Sequence, residues 1–388
     1  MRRLTLGERW ERRVQVAAHP VAYPIVERIA RPDLAGGVRR VPGLGVVVAD
    51  PEAARAVLLD TARFSKRGPG ASSDLWTPLL GPSVLLNMHG EQHAALRRRL
   101  APIFAPGAVR ALVDRALAPA AEAMRRDLVA GARVDLAQLA RDAASGIVSE
   151  LVGLPSGAYS RDLYDEVTAL TGLVTLTRPR MTELQLRRAR PIVARLVASA
   201  SDAYDGDEST VPGRMRALGL SRQEAMGAVA AFAITGTETL VSSIPRIAAI
   251  LVDDGWLHRV DVPVRDLVEE GLRVTVPTPV MLRSTVRAGS VGTVAVRPGD
   301  RVVIATFAAC RAHGPFDPTS DRAVRAKRLW FGAGPHYCIG APLAMAQLET
   351  VLGAVVAAHR EAPLVIASRS AQRGTLIAGY RSLVLARA

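Results

Sequence analysis

The chain has 388 residues, 49% of them hydrophobic, which is enough for a sizeable buried core. Its net charge is +14, and because Lys66 and Lys327 are its only lysines, almost all the positive charge is arginine. These arginines are spread along many predicted helices, and no apolar run reaches the ~18 residues of a membrane-spanning helix. Composition therefore argues against nucleic-acid binding and against a membrane partner, and a charged N-terminus without an apolar signal core predicts a cytoplasmic location.

The first half of the chain is predicted to be mostly helical. Its predicted segments are, in order, a short strand and then a helix opened by Asp50 and Pro51 within 40–60, a loop rich in Gly, Pro and Ser at 63–86, a helical region at 90–150, and two helical runs within 162–203 interrupted near 171–179. The small sheets are expected mainly in the second half of the chain.

The second half begins with a long apolar helix and then changes character. Its predicted segments are a helix at 221–251 with a kink at Pro245, a helix at 264–273, short β-like pieces at 280–306, a cysteine-bearing loop at 331–340, a helix from 341, and a β-like tail from 364. This order predicts a mainly α fold with small β-sheets, organised as a single domain over 1–388.

The loop at 331–340 reads FGAGPHYCIG and holds one of the two cysteines of the chain, Cys338. Glycines allow its backbone to turn tightly and to approach a flat ligand closely. A helix starts directly after it, and the positive end of that helix favours a thiolate. A thiolate that ligates a metal beneath a planar macrocycle needs this combination.

Two other interpretations of the cysteines are open at this point. Cys310 and Cys338 could form a disulfide, although one bridge would be an unusual framework for a chain of this length. Alternatively, Cys310, His313, His336 and Cys338 supply four ligands for a tetrahedral zinc ion. Neither alternative explains Phe331 or the glycines of the loop. On the metal-macrocycle interpretation, Cys310 is a small buried apolar residue.

The loop resembles the haem-binding loop of the cytochromes P-450, whose pattern is FxxGxHxCxG. All five fixed positions are present, at Phe331, Gly334, His336, Cys338 and Gly340. The resemblance implies haem b as cofactor and Cys338 as the axial ligand of its iron, with Phe331 and Gly340 as further cofactor-binding positions. A cysteine thiolate donates electron density to haem iron and favours cleavage of the O–O bond. Other matching motifs extend the resemblance over about 41–384.

Glu270 and Arg273 match the ExxR of the same family and share one helix face. In the family this pair is buried and connects the core to the segment before the haem loop. Arg325, at the end of FDPTSDRAVR, resembles the arginine of that segment and is predicted to be structural as well. The family's usual Asn-Arg-Asp is replaced here by Cys310, Arg311 and Ala312.

Haem carries two carboxylates, and buried cations are their charge-assisted partners. His93 and Arg97 match the family's HxxxR, and Arg283 follows a β-like run where the family also has an arginine. By resemblance these three residues, together with His336, hold the haem carboxylates.

The segment TGTETL resembles the family's AGxETT on the long helix beside the haem. The resemblance makes Glu238 and Thr239 the acid and alcohol that deliver protons to dioxygen through ordered water. Thr235 replaces the usual alanine and adds a hydroxyl beside the iron. Gly236 is expected to let the helix bow open there.

The resemblance implies a haem-thiolate monooxygenase that inserts one atom of dioxygen into a small, mainly apolar organic substrate. A secondary metabolite is the expected class of substrate. No GxGxxG motif for a flavin or nicotinamide is present, so an external ferredoxin and its reductase are expected to supply electrons, with Arg98 and Arg99 as docking candidates. A peroxide-driven or radical-coupling enzyme, and a non-catalytic haem or zinc protein, are the alternatives. The candidate residues for the substrate pocket, beneath a roof of 65–86 and 170–179, are Trp76, Ala231, Phe232, Thr235 and Val280.

Overall fold

The computed structural model describes residues 4–31, 35–153, 167–168, 170 and 181–388. The α-helices in this part are Leu6–Ala18 (α1), Ala22–Ile29 (α2), Pro51–Leu59 (α3), Ser72–Leu80 (α4), Gly90–Leu100 (α5), Pro106–Ala116 (α6), Ala118–Val129 (α7), Leu136–Val152 (α8), Glu183–Asp205 (α9), Val211–Ala217 (α10), Arg222–Asp253 (α11), Val264–Thr275 (α12), Thr306–Arg311 (α13), Arg322–Arg325 (α14) and Ala341–Glu361 (α15). The strands are Val38–Val41 (β1), Gly45–Val48 (β2), Phe64–Ser65 (β3), Val134–Asp135 (β4), Met281–Thr285 (β5), Gly289–Val291 (β6), Val294–Val296 (β7), Arg301–Ile304 (β8), Leu364–Ala371 (β9) and Tyr380–Arg387 (β10). The predicted mainly α fold with small sheets is confirmed.

Several helices begin at the polar residues that the sequence supplies for this purpose. Asp50 accepts a hydrogen bond from the N–H of Ala53 at 2.7 Å, with Pro51 as the first residue of α3. Ser221 and Glu224 form a reciprocal capping box at the start of α11. These local signals are readable in the sequence, which explains why the starts of α3 and α11 were predicted within a residue.

The largest sheet has five strands in the order β1-β2-β8-β5-β3. Strands β1 and β2 form an antiparallel hairpin, β2 runs parallel to β8, and β5 pairs antiparallel with both β8 and β3. A three-stranded sheet, β4-β10-β9, and the hairpin β6-β7 complete the β-structure of the described residues. The order of the large sheet brings β3, from the first quarter of the chain, beside Arg283 in β5.

Helix α11 is the central element of the core. It packs against α1, α8, α9, α12 and α15, and residues such as Ile244, Ile247 and Ala248 are fully buried. Pro245 lies inside this helix without ending it. Helices α11 and α15 are long and apolar enough to cross a membrane. However, 71% of the most apolar 18-residue stretch of α11, and 56% of that of α15, is buried inside the protein, as in the core helices of proteins that do not span membranes.

Three parts of the structure differ from the prediction or lie beyond it. Helix α4 occupies 72–80, where a loop was predicted, and it is held in place by the buried ring of Trp76 and by Asp74, which accepts from the N–H of Gly70 at 2.8 Å. Helices α1 and α2 were not predicted, because their charged surface obscures a narrow buried stripe. The predicted roof segment 170–179 lies outside the described residues, apart from Leu170.

Candidate haem-binding and oxygen-activating site

The loop that carries Cys338 is fixed by its own backbone. The N–H of Cys338 donates to the carbonyl of Phe331 at 2.9 Å, which closes the loop directly before α15. Gly334 has a φ of +67°, and a Cβ there would lie 3.1 Å from the carbonyl oxygen of Leu58. At Gly340 a Cβ would lie 3.9 Å from the Cys338 sulfur. Glycine therefore gives both the turn and the open space beside the sulfur.

Cys338 is a free cysteine, and as a residue it is exposed. The protein packed around its sulfur still disfavours a charge there and raises its pKa, and four groups oppose this rise: the backbone N–H groups of Gly340 and Ala341, and the charges of Arg97 and Lys66. Each of these four groups stabilises a thiolate. The loop is thus arranged to hold negative charge on sulfur once a metal replaces the proton.

Cys310 does not share this environment. It is fully buried in α13, it is a free thiol, and burial raises its pKa to about 12. The described residues, which include both cysteines, contain no cluster of three or more His, Cys, Asp or Glu that could hold a metal ion. The disulfide and zinc alternatives are therefore wrong, and Cys310 is a buried apolar residue.

The structure brings the four predicted carboxylate-binding residues together from three elements. His93 and Arg97 lie on α5, Arg283 on β5 and His336 in the cysteine loop, and the rings of His93 and His336 have centroids 4.2 Å apart. Burial, reinforced by nearby positive charge, lowers the pKa of His93 to about 4. Burial alone lowers the pKa of Arg283 to about 10. In the part of the chain that the structure describes, no carboxylate stabilises the charge of Arg97 or Arg283.

His89, immediately before α5, is a member of this cluster that the sequence analysis missed. Its Nε2 donates to the carbonyl of Thr61 at 3.0 Å, so a neutral His89 accepts through Nδ1 from Nε2 of His336, at 3.1 Å. This arrangement leaves Nδ1 of His336 buried without a hydrogen-bond partner. Because the pairing joins residues 247 positions apart, no local pattern could have indicated it.

Glu270 and Arg273 form a fully buried ion pair on α12, with side chains 2% and 0% exposed. Arg273 also donates to the carbonyl of Cys310 at 2.8 Å and to that of Pro315 at 2.8 Å. Glu270 accepts from the N–H of Asp317 at 2.9 Å. The pair thereby connects α12 to the irregular segment that precedes the cysteine loop.

Arg325 does not take part in that connection, which corrects the expectation for this residue. Its side chain is 55% exposed and pairs with Asp321 at 3.1 Å on the surface of α14. The side chain that reaches into the segment is Arg322, which binds Asp317 at 2.9 Å and the carbonyl of Pro315 at 3.2 Å. Both arginines lie in one short helix, and only the three-dimensional fold decides which of them faces inward.

Glu238 and Thr239 are neighbours in the chain, but their polar groups have different partners. Glu238 is buried, and its carboxyl accepts from the hydroxyl of Thr168 at 2.8 Å. Burial raises the pKa of Glu238, opposed by Thr168 and by the charge of Arg141. The hydroxyl of Thr239 donates to the carbonyl of Thr235 at 3.3 Å.

Thr235 and Gly236 are exposed in the middle of the otherwise buried helix α11. The hydroxyl of Thr235 donates to the carbonyl of Ala231 at 2.7 Å, so it is already satisfied within the helix. Such bonds to the carbonyl four residues earlier tend to bend a helix. The extra hydroxyl at this position therefore serves the helix backbone in this structure.

The remaining candidate lining residues divide into two groups. Trp76 and Ala231 are buried in the core, while Val280 is only partly covered and packs against it. Phe232 stacks edge-on against Phe104 with ring centroids 5.2 Å apart. The ring of Phe104 also lies close to Gly340, so this aromatic pair connects α11 to the cysteine loop.

Comparison with known proteins identifies the family, although no family model matches the chain. Mycinamicin IV hydroxylase/epoxidase of Micromonospora griseorubida is 30% identical over 327 residues, which cover 78% of this chain and 78% of that enzyme. Erythromycin C-12 hydroxylase of Saccharopolyspora erythraea is also 30% identical over 327 residues, covering 78% of this chain and 79% of that enzyme. Among solved structures, the cytochrome P-450 BioI in complex with an acyl carrier protein superposes with a TM-score of 0.78 at 19% identity, covering 97% of this chain and 99% of that one.

The protein is a haem-thiolate monooxygenase by class. The chain belongs to the bacterial cytochromes P-450, and its cofactor is haem b. The alternative of a non-catalytic haem or zinc protein is not supported, because the relatives are hydroxylases and monooxygenases.

The residues of the site fit this cofactor. Arg97 and Arg283 lie near no described carboxylate that would stabilise their charge. Two haem carboxylates would supply this negative charge, and Cys338, whose N–H donates to the Phe331 carbonyl, would supply the thiolate. Nδ1 of His336 is buried without a partner, and in the neutral tautomer set by His89 it is an acceptor rather than a donor.

Proposed function

We propose that this enzyme oxidises a mainly apolar secondary metabolite with dioxygen, using electrons from an external ferredoxin and its reductase. The observation that carries the proposal is the pairing of a backbone-fixed Cys338 with two arginines that have no described carboxylate partner, in a chain similar to hydroxylases of mycinamicin and erythromycin. The location proposed for the enzyme is cytoplasmic.

The chain's own residues position the cofactor and move protons. Cys338 ligates the iron, and Phe331 and Gly340 shape the space beside its sulfur. His93, Arg97, Arg283 and His336 bind the carboxylates. The haem, once bound, supplies the chemistry that activates dioxygen and transfers one oxygen atom to the substrate.

Proton delivery is assigned to Glu238 and Thr239. Because burial raises the pKa of Glu238, its carboxyl holds a proton more readily than an exposed glutamate would. In the structure the hydroxyl of Thr168 donates to the Glu238 carboxyl. For Glu238 to pass a proton onward, a water molecule must replace Thr168 as its hydrogen-bond partner. Thr239, one residue further along α11, donates its hydroxyl to the Thr235 carbonyl, close to the exposed residues Thr235 and Gly236.

The substrate class is inferred from the relatives and from the pocket candidates. The two relatives described above act, by name, on mycinamicin and erythromycin, which are macrolides. Four of the candidate lining residues are apolar, namely Trp76, Ala231, Phe232 and Val280, and the hydroxyl of Thr235 is satisfied by its own helix. A large, mainly apolar ligand with few polar anchors suits such a surface.

The first test is the absorption spectrum of the purified enzyme reduced with dithionite under carbon monoxide. A strongly red-shifted Soret band is expected, and replacing Cys338 by Ser should abolish the shift while leaving bound haem. A wild-type protein that binds haem without this shift would contradict the assignment of Cys338.

The second test addresses substrate and oxidant. Titration with macrolides, and with a steroid and a fatty acid as comparison ligands, should give a substrate-induced change in the Soret band that is strongest for the macrolides. Turnover under ¹⁸O-labelled dioxygen with a ferredoxin system should place one labelled atom in the product. Label arriving only from hydrogen peroxide would instead establish the peroxide-driven alternative, and equal responses to all ligands would refute the macrolide preference.

A further inference from the structure

Lys66 lies at the edge of the carboxylate-binding cluster, although no motif of the sequence points to it. Strand β3 pairs antiparallel with β5 and ends at Ser65, which lies opposite Ser284. Lys66 directly follows Ser65, and Arg283 directly precedes Ser284, so the two residues come close enough for their charges to interact. The carbonyl of Lys66 accepts from the N–H of Ser73 at 3.1 Å, which ties this end of β3 to the start of α4. The backbone of Lys66 is thus fixed beside a residue assigned to the haem carboxylates.

The charge of Lys66 has no described acidic partner. The groups whose charge acts on it are Arg283, Arg97 and Cys338, and only the cysteine favours the ammonium form. Burial, then Arg283 and Arg97, together lower the pKa of Lys66 to about 7. The other lysine, Lys327, shows the ordinary surface arrangement, with Glu52 at 3.6 Å and about half of its side chain exposed.

Three like charges gathered in a partly buried region are costly unless an anion joins them. Arg97 is stabilised only by Cys338 among its charged neighbours, and Arg283 donates to the carbonyl of Leu282 at 2.9 Å and to no described carboxylate. Two haem carboxylates bring two negative charges to this place and offer more acceptor positions than two arginines fill. A lysine with three rotatable donors can bind the remaining ones.

We propose that Lys66 is a third cation that binds the haem carboxylates, together with Arg97 and Arg283, and that it retains haem in this particular chain. This inference rests on the proposed roles of those two arginines. It adds the residue that follows β3 to a site otherwise built from α5, β5 and the cysteine loop.

The test is the rate at which the holoenzyme loses haem to an excess of apomyoglobin, for Lys66→Met, Lys66→Arg and the control Lys327→Met. A charge-assisted hydrogen bond is worth enough that Lys66→Met should lose haem on the order of ten-fold faster. Lys66→Arg should restore most of the retention, and Lys327→Met should match the wild type. The reduced carbon monoxide spectrum of each variant establishes that Cys338 still ligates the iron.

A second readout separates a carboxylate ligand from a merely structural lysine. The resonance Raman bands of haem carboxylate bending should shift in Lys66→Met and stay unchanged in Lys327→Met. Unchanged carboxylate bands and an unchanged rate of haem loss in Lys66→Met would overturn the role of Lys66. Faster haem loss in Arg97→Met would then show that the arginines still bind the haem carboxylates. Weaker substrate binding in Lys66→Met with normal haem retention would also overturn the proposal, by assigning Lys66 to the substrate.

Discussion

Thr239 and Ser243 lie one turn apart on α11, and each hydroxyl donates to the carbonyl four residues earlier. They differ in surroundings, since Thr239 is partly exposed near Gly236 and Ser243 is fully buried. The two residues therefore form a matched pair in which only one hydroxyl can serve the reaction.

Replacing Thr239 by Ala is expected to uncouple the enzyme, because a hydroxyl that organises proton delivery is lost. Reductant consumption should continue while product falls on the order of ten-fold and hydrogen peroxide appears. The measurement is the ratio of product to reductant oxidised. Ser243→Ala should stay coupled, and full coupling in Thr239→Ala would mean that protons arrive by another route.

Glu270 and Arg325 differ sharply in what their ion pairs contribute to stability. Replacing Glu270 by Gln leaves the buried charge of Arg273 uncompensated and should lower the free energy of unfolding by about 3–5 kcal/mol. Arg325→Gln removes a surface pair and should change it by less than about 1 kcal/mol. Urea unfolding of both variants measures these free energies. Equal losses of unfolding free energy in the two variants would show that Arg325 is structural as well.

At the scale of elements, α1 is attached to the core by a buried ion network. Glu11 binds Arg246 of α11 at 2.9 Å and Arg311 of α13 at 3.0 Å. Burial opposes the charge of Glu11, but Arg246 and Arg311 hold its pKa below the usual value. These arginines also donate to the carbonyls of Thr275 and Val274 in the last turn of α12. Through Glu11 and its two arginine partners, this network links α1, α11, α12 and α13.

Glu11→Gln should loosen that link, because two buried guanidinium groups lose their counter-charge. The free energy of unfolding is expected to fall by about 3–5 kcal/mol, and amide hydrogen exchange in α1 should accelerate. Glu27→Gln, which removes an exposed partner of Arg12, is the control and should cost less than about 1 kcal/mol. Unchanged exchange in α1 of Glu11→Gln would refute the link.

At the scale of the whole molecule, the excess of positive charge favours an acidic electron donor, but the two docking candidates are not equivalent. Arg98 is exposed, and no salt bridge joins it to any described residue. Arg99 instead binds Glu224 at 2.9 Å and the carbonyl of Gly219 at 3.0 Å. The structure therefore makes Arg99 a tie between α5 and α11, which leaves Arg98 as the docking candidate.

Arg98→Glu is expected to slow reduction by an acidic ferredoxin about ten-fold at low ionic strength, with the difference vanishing at high salt. Stopped-flow reduction over a range of salt concentrations measures this. Arg99→Glu should chiefly lower stability, since it places two carboxylates together. Reduction of Arg98→Glu at the wild-type rate in low salt would remove Arg98 from the docking surface.

The histidines make stability depend on pH across the molecule. Burial lowers the pKa of His19 and, with His258 nearby, that of His359, whose Nδ1 accepts from the N–H of Leu364 at 3.0 Å. The unfolded chain therefore binds more protons than the folded one below about pH 6.5, so stability is lost as the pH falls through that value.

We expect His359→Gln to lose less stability than the wild type between about pH 7 and about pH 5. Urea unfolding at both pH values measures the difference, and Gln preserves a polar side chain of similar length. The same pH dependence in wild type and variant would show that His359 has the same pKa in the folded and unfolded chain, which would contradict this prediction.

The mainly helical architecture and the FxxGxHxCxG loop around Cys338 can be read from the sequence, because glycines, caps and apolar periodicity act over a few residues. Three relations appear only in the folded chain: His89 bonds His336, Lys66 comes close to Arg283, and Arg322 rather than Arg325 faces inward. Those relations depend on long-range strand pairing and helix packing, in which side chains far apart in the chain meet. A local pattern specifies which residues can form a site, whereas the packing of the elements specifies which of them do.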